Sequence, residues 1–573
     1  MRWRMNGMDQ SLYEGEDYAD LIVFYLNRPE LLKKYAGAMI QYMNEAFAIV
    51  HVPVSQISIN MVTAYGYSAM PKLYGLTSEN GLEASGVNRL RAIPNFDLRG
   101  SGVLVGIIDT GIDYTNPVFL KSDGTTKIIS IWDQTINTGH TTNELMFGTE
   151  YKSQQINQAL SSTNPYNIVP SSDNNGHGTM MAAVAVGNEN LKENFTGIAP
   201  DAEIVIIKLR QAKQYLRDFY VIPDDVDCYQ ENHIMWGVQY CIRIARDLNR
   251  PIVICSGIGS SQGAHEGRTY LSTFMSIVGD FPNTVLVAPI GNEGTRGRHY
   301  YSTIDPAIGF NTVELNVGEK DEGGFSMELW GDSPGIYNID IASPNGEYIP
   351  KISAGLREHL EKRFLFESTI IYIDNLVAES QTGEQLILIR FRNMTPGVWK
   401  FNVYGQSNLS SGFHIWLPMG NMISKNTYFI KPNIYTTILE PGSATSPITI
   451  TAYNPVNNSL YIESSRGYTK NNTVKPDLAA PGVNYIAPNQ SKEFVSYSGT
   501  SVAAAHATGI VAMILEWGVV KGNQPSLDSP EVKNYLIRGA ERNPNIPYPN
   551  KDWGYGMINV FNVFDIFRTN FGK

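Results

Sequence analysis

The sequence predicts an α/β fold, a parallel sheet with helices on both faces, joined to an N-terminal α+β unit and an inserted all-β domain. Three observations carry this. Residues 103–108, 251–255 and 284–288 are near-continuous apolar runs, the texture of strands buried on both faces. Residues 234–248 place Ile234, Val238, Cys241, Ile242, Ala245 and Leu248 on one helical face. From about 303 to 435 the texture changes to short alternating segments, such as 312–317, 385–390 and 399–403, separated by turn formers, as in a sandwich.

In chain order, residues 17–75 read as the α+β unit. Residues 21–26 form a strand, 29–47 carry a helical repeat through Leu31, Leu32, Tyr35, Met39, Tyr42 and Met43, and 48–52 return as a strand. Such a unit fits an accessory domain or a folding propeptide. Turn formers crowd 75–102, which reads as a linker. The strand 103–108 ends in Asp109-Thr-Gly-Ile-Asp113, so Asp109 stands at a strand's carboxyl end, where ligands bind in open α/β sheets. An aspartate there is often only a turn former. Residues 120–172 read as polar and irregular. Asn174-Asn-Gly-His177-Gly-Thr then opens a helix of small residues. Residues 202–209 and 251–255 are strands, and the second runs into Ser256-Gly257-Ile258-Gly259-Ser260, whose glycines leave backbone groups open. The strand 284–288 leads to Gly291-Asn292-Glu-Gly294, and 448–452 return to the sheet. Gly499-Thr-Ser501 opens an apolar helix over 502–517, with Gly518 as its stop. A serine at a helix start is commonly just a cap, but the unpaired N–H groups there also suit an oxyanion.

At 573 residues the chain exceeds one simple core, so several domains are expected. A hydrophobic content of 43% with 17% charged residues is that of a globular protein. The formal net charge of -11 argues against a nucleic-acid partner, which needs a basic face. Cys228, Cys241 and Cys255 form no Cys-x-x-Cys pattern, so neither a zinc site nor a disulfide framework is expected, and no metal or cofactor is assigned. Met1-Arg-Trp-Arg-Met-Asn lacks the apolar core of a secretory leader. Residues 509–520, interrupted by Glu516, are too short to span a bilayer. The expectation is a protein made in the cytoplasm, with no membrane partner.

Asp109, His177 and Ser501 occur in the order Asp, His, Ser, which is subtilisin's order and not that of chymotrypsin or the α/β-hydrolases. Asp-Thr-Gly-Ile-Asp, Asn-Gly-His-Gly-Thr, Gly-Asn-Glu-Gly and Gly-Thr-Ser-Val-Ala-Ala resemble the motifs of the subtilisin-like serine proteases, the subtilase family. They stand in the family's order over about 85–300 and 445–565, and four in order arise by chance far more rarely than one. The resemblance implies a serine endopeptidase. Ser501 would be the nucleophile, His177 its base, and Asp109 the carboxylate that orients the imidazole. Asn292 would donate to the oxyanion together with the Ser501 N–H. Gly257, Ile258 and Gly259 correspond to the edge strand that pairs with substrate backbone, with glycine at 257 where the family usually has serine.

Within the family the chain resembles the clostridial Csp spore-germination proteases, which carry an N-terminal prodomain and a jelly-roll insert and activate a cortex-lytic precursor by limited proteolysis. The implied division is 1–76 prodomain, 77–302 first part of the catalytic domain, 303–435 inserted jelly-roll-like sandwich and 436–573 second part. It implies a self-cleavage junction near Leu73 to Asn80, a protein or peptide substrate, the chain's own prodomain as a partner, and association with the spore. Two positions depart from the family pattern. Ala505 replaces a common proline before His506, and Val118 replaces a frequent calcium-binding aspartate, so that calcium site is not expected. The competing reading is a latent or non-catalytic regulator with the prodomain kept in the cleft. An adhesion protein led by the β domain leaves the four motifs unexplained.

Overall fold

A computed structural model describes residues 15–35, 37–57, 60–76, 85–91, 97–137, 147–353, 355–405 and 411–571. Its central sheet runs in the order Ile448–Asn454, Thr284–Pro289, Ile252–Ser256, Leu104–Asp109, Glu203–Lys208, Ile128–Asp133, Thr149–Lys152. These neighbours pair in parallel, except the last two strands, which are antiparallel. Leu478–Pro481 adds a further parallel strand beside Ile448–Asn454.

Alternation along Leu104–Asp109 shows how the layers form. Val105 and Ile107 pack against the helices His177–Val186 and Thr500–Leu515 on one face. Leu104 and Ile108 pack against Glu231–Leu248 and Tyr270–Gly279 on the other. Every residue of His177–Val186 and of Thr500–Leu515 is buried. Helices apolar all round belong inside a core, where each large aliphatic side chain contributes about 1.5–3 kcal/mol by leaving water. The two helices that start on His177 and beside Ser501 are therefore held rigidly.

Three expectations need correction. Residues 29–47 are not one helix. A 3-10 turn, Pro29–Tyr35, is followed by the hairpin Met39–Tyr42 and Phe47–Pro53. The Asn44 side chain accepts from the backbone N–H of Ala46 and of Phe47, both at 2.8 Å, and so closes the hairpin. Residues 120–172 are not irregular throughout, because they hold the strands Ile128–Asp133 and Thr149–Lys152 and the helix Ser153–Leu160. The apolar run there is short and set between polar flanks, which hides a core strand. The Ser501 helix does not stop at Gly518 but runs on as a π-helical turn, Glu516–Val520. Gly518 is needed for space, since a Cβ there would lie 2.4 Å from Leu527 Cδ1. The combined helix, Thr500–Val520, is long and apolar enough to cross a membrane, but 89% of its apolar window is buried inside the fold.

The N-terminal unit is a three-stranded antiparallel sheet with Phe47–Pro53 between Tyr18–Phe24 and Met39–Tyr42. It is tied to the main body through Asp20, which is 2% exposed. Lys213 Nζ donates to Asp20 Oδ1 at 3.1 Å, and Gln230 Nε2 and Asn232 Nδ2 donate to Oδ2 at 2.8 and 3.0 Å. His51 Nδ1 lies 2.9 Å from Oδ1.

Between His299 and Phe429 the chain builds two further sheets. One has six strands and the other five, and Val313, Leu329, Ile339, Ile389, Trp399 and Phe401 lie in one core that draws on both.

Candidate active site

Asp109 is the last residue of its strand, His177 the first of its helix, and Ser501 the second of Thr500–Leu515. The fold brings these three ends together. His177 Nδ1 lies 2.7 Å from Asp109 Oδ1, and His177 Nε2 lies 3.1 Å from Ser501 Oγ. A carboxylate can only accept, so Nδ1 carries the hydrogen and Nε2 keeps its lone pair for the Ser501 hydroxyl. Thr110 N donates to the same Asp109 Oδ1 at 2.8 Å. Asp109 and Ser501 are 0% exposed and His177 is 4% exposed, so bulk water does not compete with these contacts.

Asn292 Oδ1 accepts from Thr500 N at 3.2 Å and Thr500 Oγ1 at 3.0 Å. That commits the amide oxygen and leaves Nδ2 as a donor. Asn292 lines a cleft of about 750 Å³ that also touches Gly75, Asp225, Asp227, Met419 and Met422. Ser501 sits in the first helical turn, where backbone N–H groups lack helical partners.

Gly257 has a local reason to be glycine. A Cβ there would lie 2.5 Å from Asp109 Oδ2 and 2.9 Å from His177 Cε1. Ile258 and Gly259 form the short strand that follows. They pair antiparallel with Leu76 and Gly75, while Tyr74 and Leu73 pair with Tyr229 and Gln230. The segment Leu73–Leu76 is thus the middle strand of a three-stranded sheet, and its C-terminal end runs toward Gly257 and the His177–Ser501 pair.

Sequence reasoning missed Asp173. Its Oδ1 accepts from Thr110 Oγ1 at 2.8 Å and Gly176 N at 2.8 Å, and its Oδ2 from Thr179 N at 2.9 Å and Thr179 Oγ1 at 2.7 Å. Thr110 Oγ1 in turn accepts from Gly178 N at 2.9 Å. One carboxylate therefore locks the Asp109 strand end to the His177 helix start. The signal was an aspartate four residues before the histidine, placed to cap the helix. Asp173→Asn offers Thr179 a donor where it needs an acceptor. Turnover is expected to fall about 10²-fold through misplacement of His177, with KM nearly unchanged. Steady-state kinetics beside a melting curve checks this, and a loss of kcat larger than the loss of folded protein is the expected result.

Val118 is buried in the 3-10 turn Pro117–Phe119 and packs in the main core. Among the described residues no group of three His, Cys, Asp or Glu side chains is gathered as a metal site.

A model of the subtilase family matches residues 100–307 and 400–556. The minor extracellular protease Vpr of Bacillus subtilis is 22% identical over 487 residues, covering 81% of this chain and 51% of its own length. The subtilisin-like protease SBT1.9 of Arabidopsis thaliana is 23% identical over 489 residues, covering 78% of this chain and 59% of its own. The chain therefore spans about half the length of the curated relatives it matches. Among solved structures, the CspB protease of Clostridium perfringens aligns with a TM-score of 0.75 at 27% identity, covering 84% of this chain and 96% of its own. With the family model matching well over half of the chain, and with that fold around the site, the chain belongs to the subtilase family.

Proposed function

We propose that the chain is a serine endopeptidase, and the observation that carries this is His177 held between Asp109 and Ser501. Ser501 Oγ attacks the peptide carbonyl while His177 Nε2 takes its proton. The carbonyl oxygen becomes an oxyanion held by Asn292 Nδ2 and the Ser501 N–H. His177 then gives the proton to the departing amine, leaving an acyl-enzyme on Ser501. Water, deprotonated by the same imidazole, releases the acid and restores the hydroxyl. The Asp109 carboxylate stabilises the imidazolium. Loss of the Asn292 donor costs about 10²–10³ in turnover by the figure known for subtilisin.

In this reading residues 1–76 are a prodomain that the enzyme cuts from itself, 303–435 are an insert, and 77–302 with 436–573 make the catalytic domain. Support comes from the segment Leu73–Leu76, which lies as a middle strand beside Ile258 and Gly259, where a substrate would lie. The expected junction near Leu73 to Asn80 continues past this strand, and residues 77–84 lie outside the described residues. Limited proteolysis of a precursor, synthesis in the cytoplasm and association with the spore belong to the same reading, as what the resemblance of the motifs to the Csp proteases implies.

A second reading is favoured by a specific observation. Ser501 is fully buried and the cleft strand is in place, so a latent form that retains the prodomain fits the same arrangement. N-terminal sequencing of purified wild type and His177→Ala separates the two. The peptidase reading expects a new terminus within 74–81 in the wild type and Met1 in the variant. Met1 in both supports the latent form.

A further inference from the structure

The cleft strand has one feature that its backbone does not demand. Gly75 has no positive φ, yet it faces side chains of the inserted sandwich region. A Cβ at Gly75 would lie 3.4 Å from Met419 Cε and 3.6 Å from Met422 Cε. A methyl group fits at those distances, and a longer side chain continuing in that direction meets the ends of the two methionines. Met419 and Met422 are themselves 2% and 5% exposed. Their loop is pinned beside Asn292. Glu293 Oε1 accepts from Gly420 N at 2.9 Å, and Arg298 Nη1 bridges Glu293 Oε2 at 3.1 Å and Gly420 O at 2.8 Å. Arg298 Nη2 donates to Ile423 O at 3.0 Å. A flexible loop would yield to a larger residue, whereas this one is held at both ends by buried charged groups.

We propose that Met419 and Met422 are specificity-determining residues, which restrict the substrate position opposite Gly259 to glycine or alanine. The substrate class is a polypeptide with a small residue two positions before the one that meets Gly257. This rests on the endopeptidase reading, with the cleft strand as the first substrate. The insert thereby acts on peptide choice as well as on architecture.

The test follows self-cleavage by intact mass over time in the full chain. Gly75→Ala is expected to be cut at close to the wild-type rate. Gly75→Leu is expected to be slowed about 10- to 200-fold, the range for misfitted aliphatic groups in a pocket. Adding Met419→Ala and Met422→Ala to Gly75→Leu is expected to restore cutting. Wild-type speed in Gly75→Leu overturns the proposal, as does slowing that the methionine changes leave in place. A melting cycle of the same substitutions in Ser501→Ala reads the contact with no cleavage involved. A loss of melting temperature in Gly75→Leu that the methionine changes relieve is expected. Additive effects overturn the proposal. If the wild type is never cut while the melting coupling is present, the endopeptidase reading fails and the steric roof stands.

Discussion

Ser501→Ala is expected to stay full length and take up no fluorophosphonate, while the wild type is cut and carries one adduct. In the proposed reaction the Ser501 hydroxyl is the one group for which no neighbour can substitute. His177 Nε2 is 3.1 Å from Ser501 Oγ, and without that hydroxyl the imidazole has no proton to take. In subtilisin, removal of the nucleophile lowers kcat by about 2 × 10⁶, leaving only what binding and the oxyanion hole supply. A loss of that order is expected here. The burial of Ser501 adds a further expectation. A probe needs an open cleft, so labelling should follow both the cut and the departure of the cleft strand, and not precede them. Intact mass on both chains, sampled through the processing reaction, reads adduct and cleavage together. Labelling of Ser501→Ala would place the reactive hydroxyl elsewhere. A full-length wild type with no adduct would move the latent reading ahead.

The second large effect concerns how the N-terminal unit stays attached. Asp20→Ala leaves Lys213 buried, at 0% side-chain exposure, without its carboxylate. Breaking one side of a buried ion pair costs about 3–5 kcal/mol, because the remaining charge stays out of water. The pH dependence follows from the same cluster. Burial pushes the Asp20 carboxyl up, but Lys213 and His51 outweigh it and hold the group well below the usual carboxylate range. Its stabilisation is therefore present above the unfolded value near pH 4 and fades as the pH falls below that. Burial pushes His233, beside this cluster, down to about 3. An unfolded histidine binds a proton from about pH 6.5 downward while the folded one does not. That contribution is thus present above pH 6.5 and lost as the pH falls toward 3. The unit is expected to stay bound after cleavage at pH 7.5 and to loosen in acid. Size-exclusion chromatography of the processed protein across pH 7.5 to 3 measures release, and Asp20→Ala should release already at neutral pH. Co-elution of the Asp20→Ala fragments at pH 7.5 would assign the attachment to the apolar contacts instead.

The residues near the site were legible to different degrees, for physical reasons. Asp109 at a strand end and His177 and Ser501 at two helix starts follow from local chemistry, since glycine beside a polar residue and then an apolar run marks such an end. Gly257, Ile258 and Gly259 were legible as a place for a strand, although the reason for Gly257 was not. That reason is the space taken by Asp109 Oδ2 and His177 Cε1, residues 148 and 80 positions away in the chain. Asp173 was overlooked because its partners come from two elements, Thr110 and Thr179, and a helical cap hides a second bond. The misread stretch at 29–47 has a helical spacing of apolar residues, yet Leu31, Met39 and Tyr42 are 40%, 39% and 43% exposed. Spacing alone does not say which apolar residues a neighbour will cover.

By itself the sequence determined the class of fold, most of the strands and helices that build the central sheet, and the four motifs that mark the family. These depend on contacts within a few residues, through periodicity, glycine placement and capping. Only the tertiary structure decided which strand lies in the cleft, that Met419 and Met422 stand over Gly75, and that Asp20 meets Lys213. Those contacts join residues 182 to 347 positions apart, and a chain's local pattern carries no term for a neighbour that folding alone supplies.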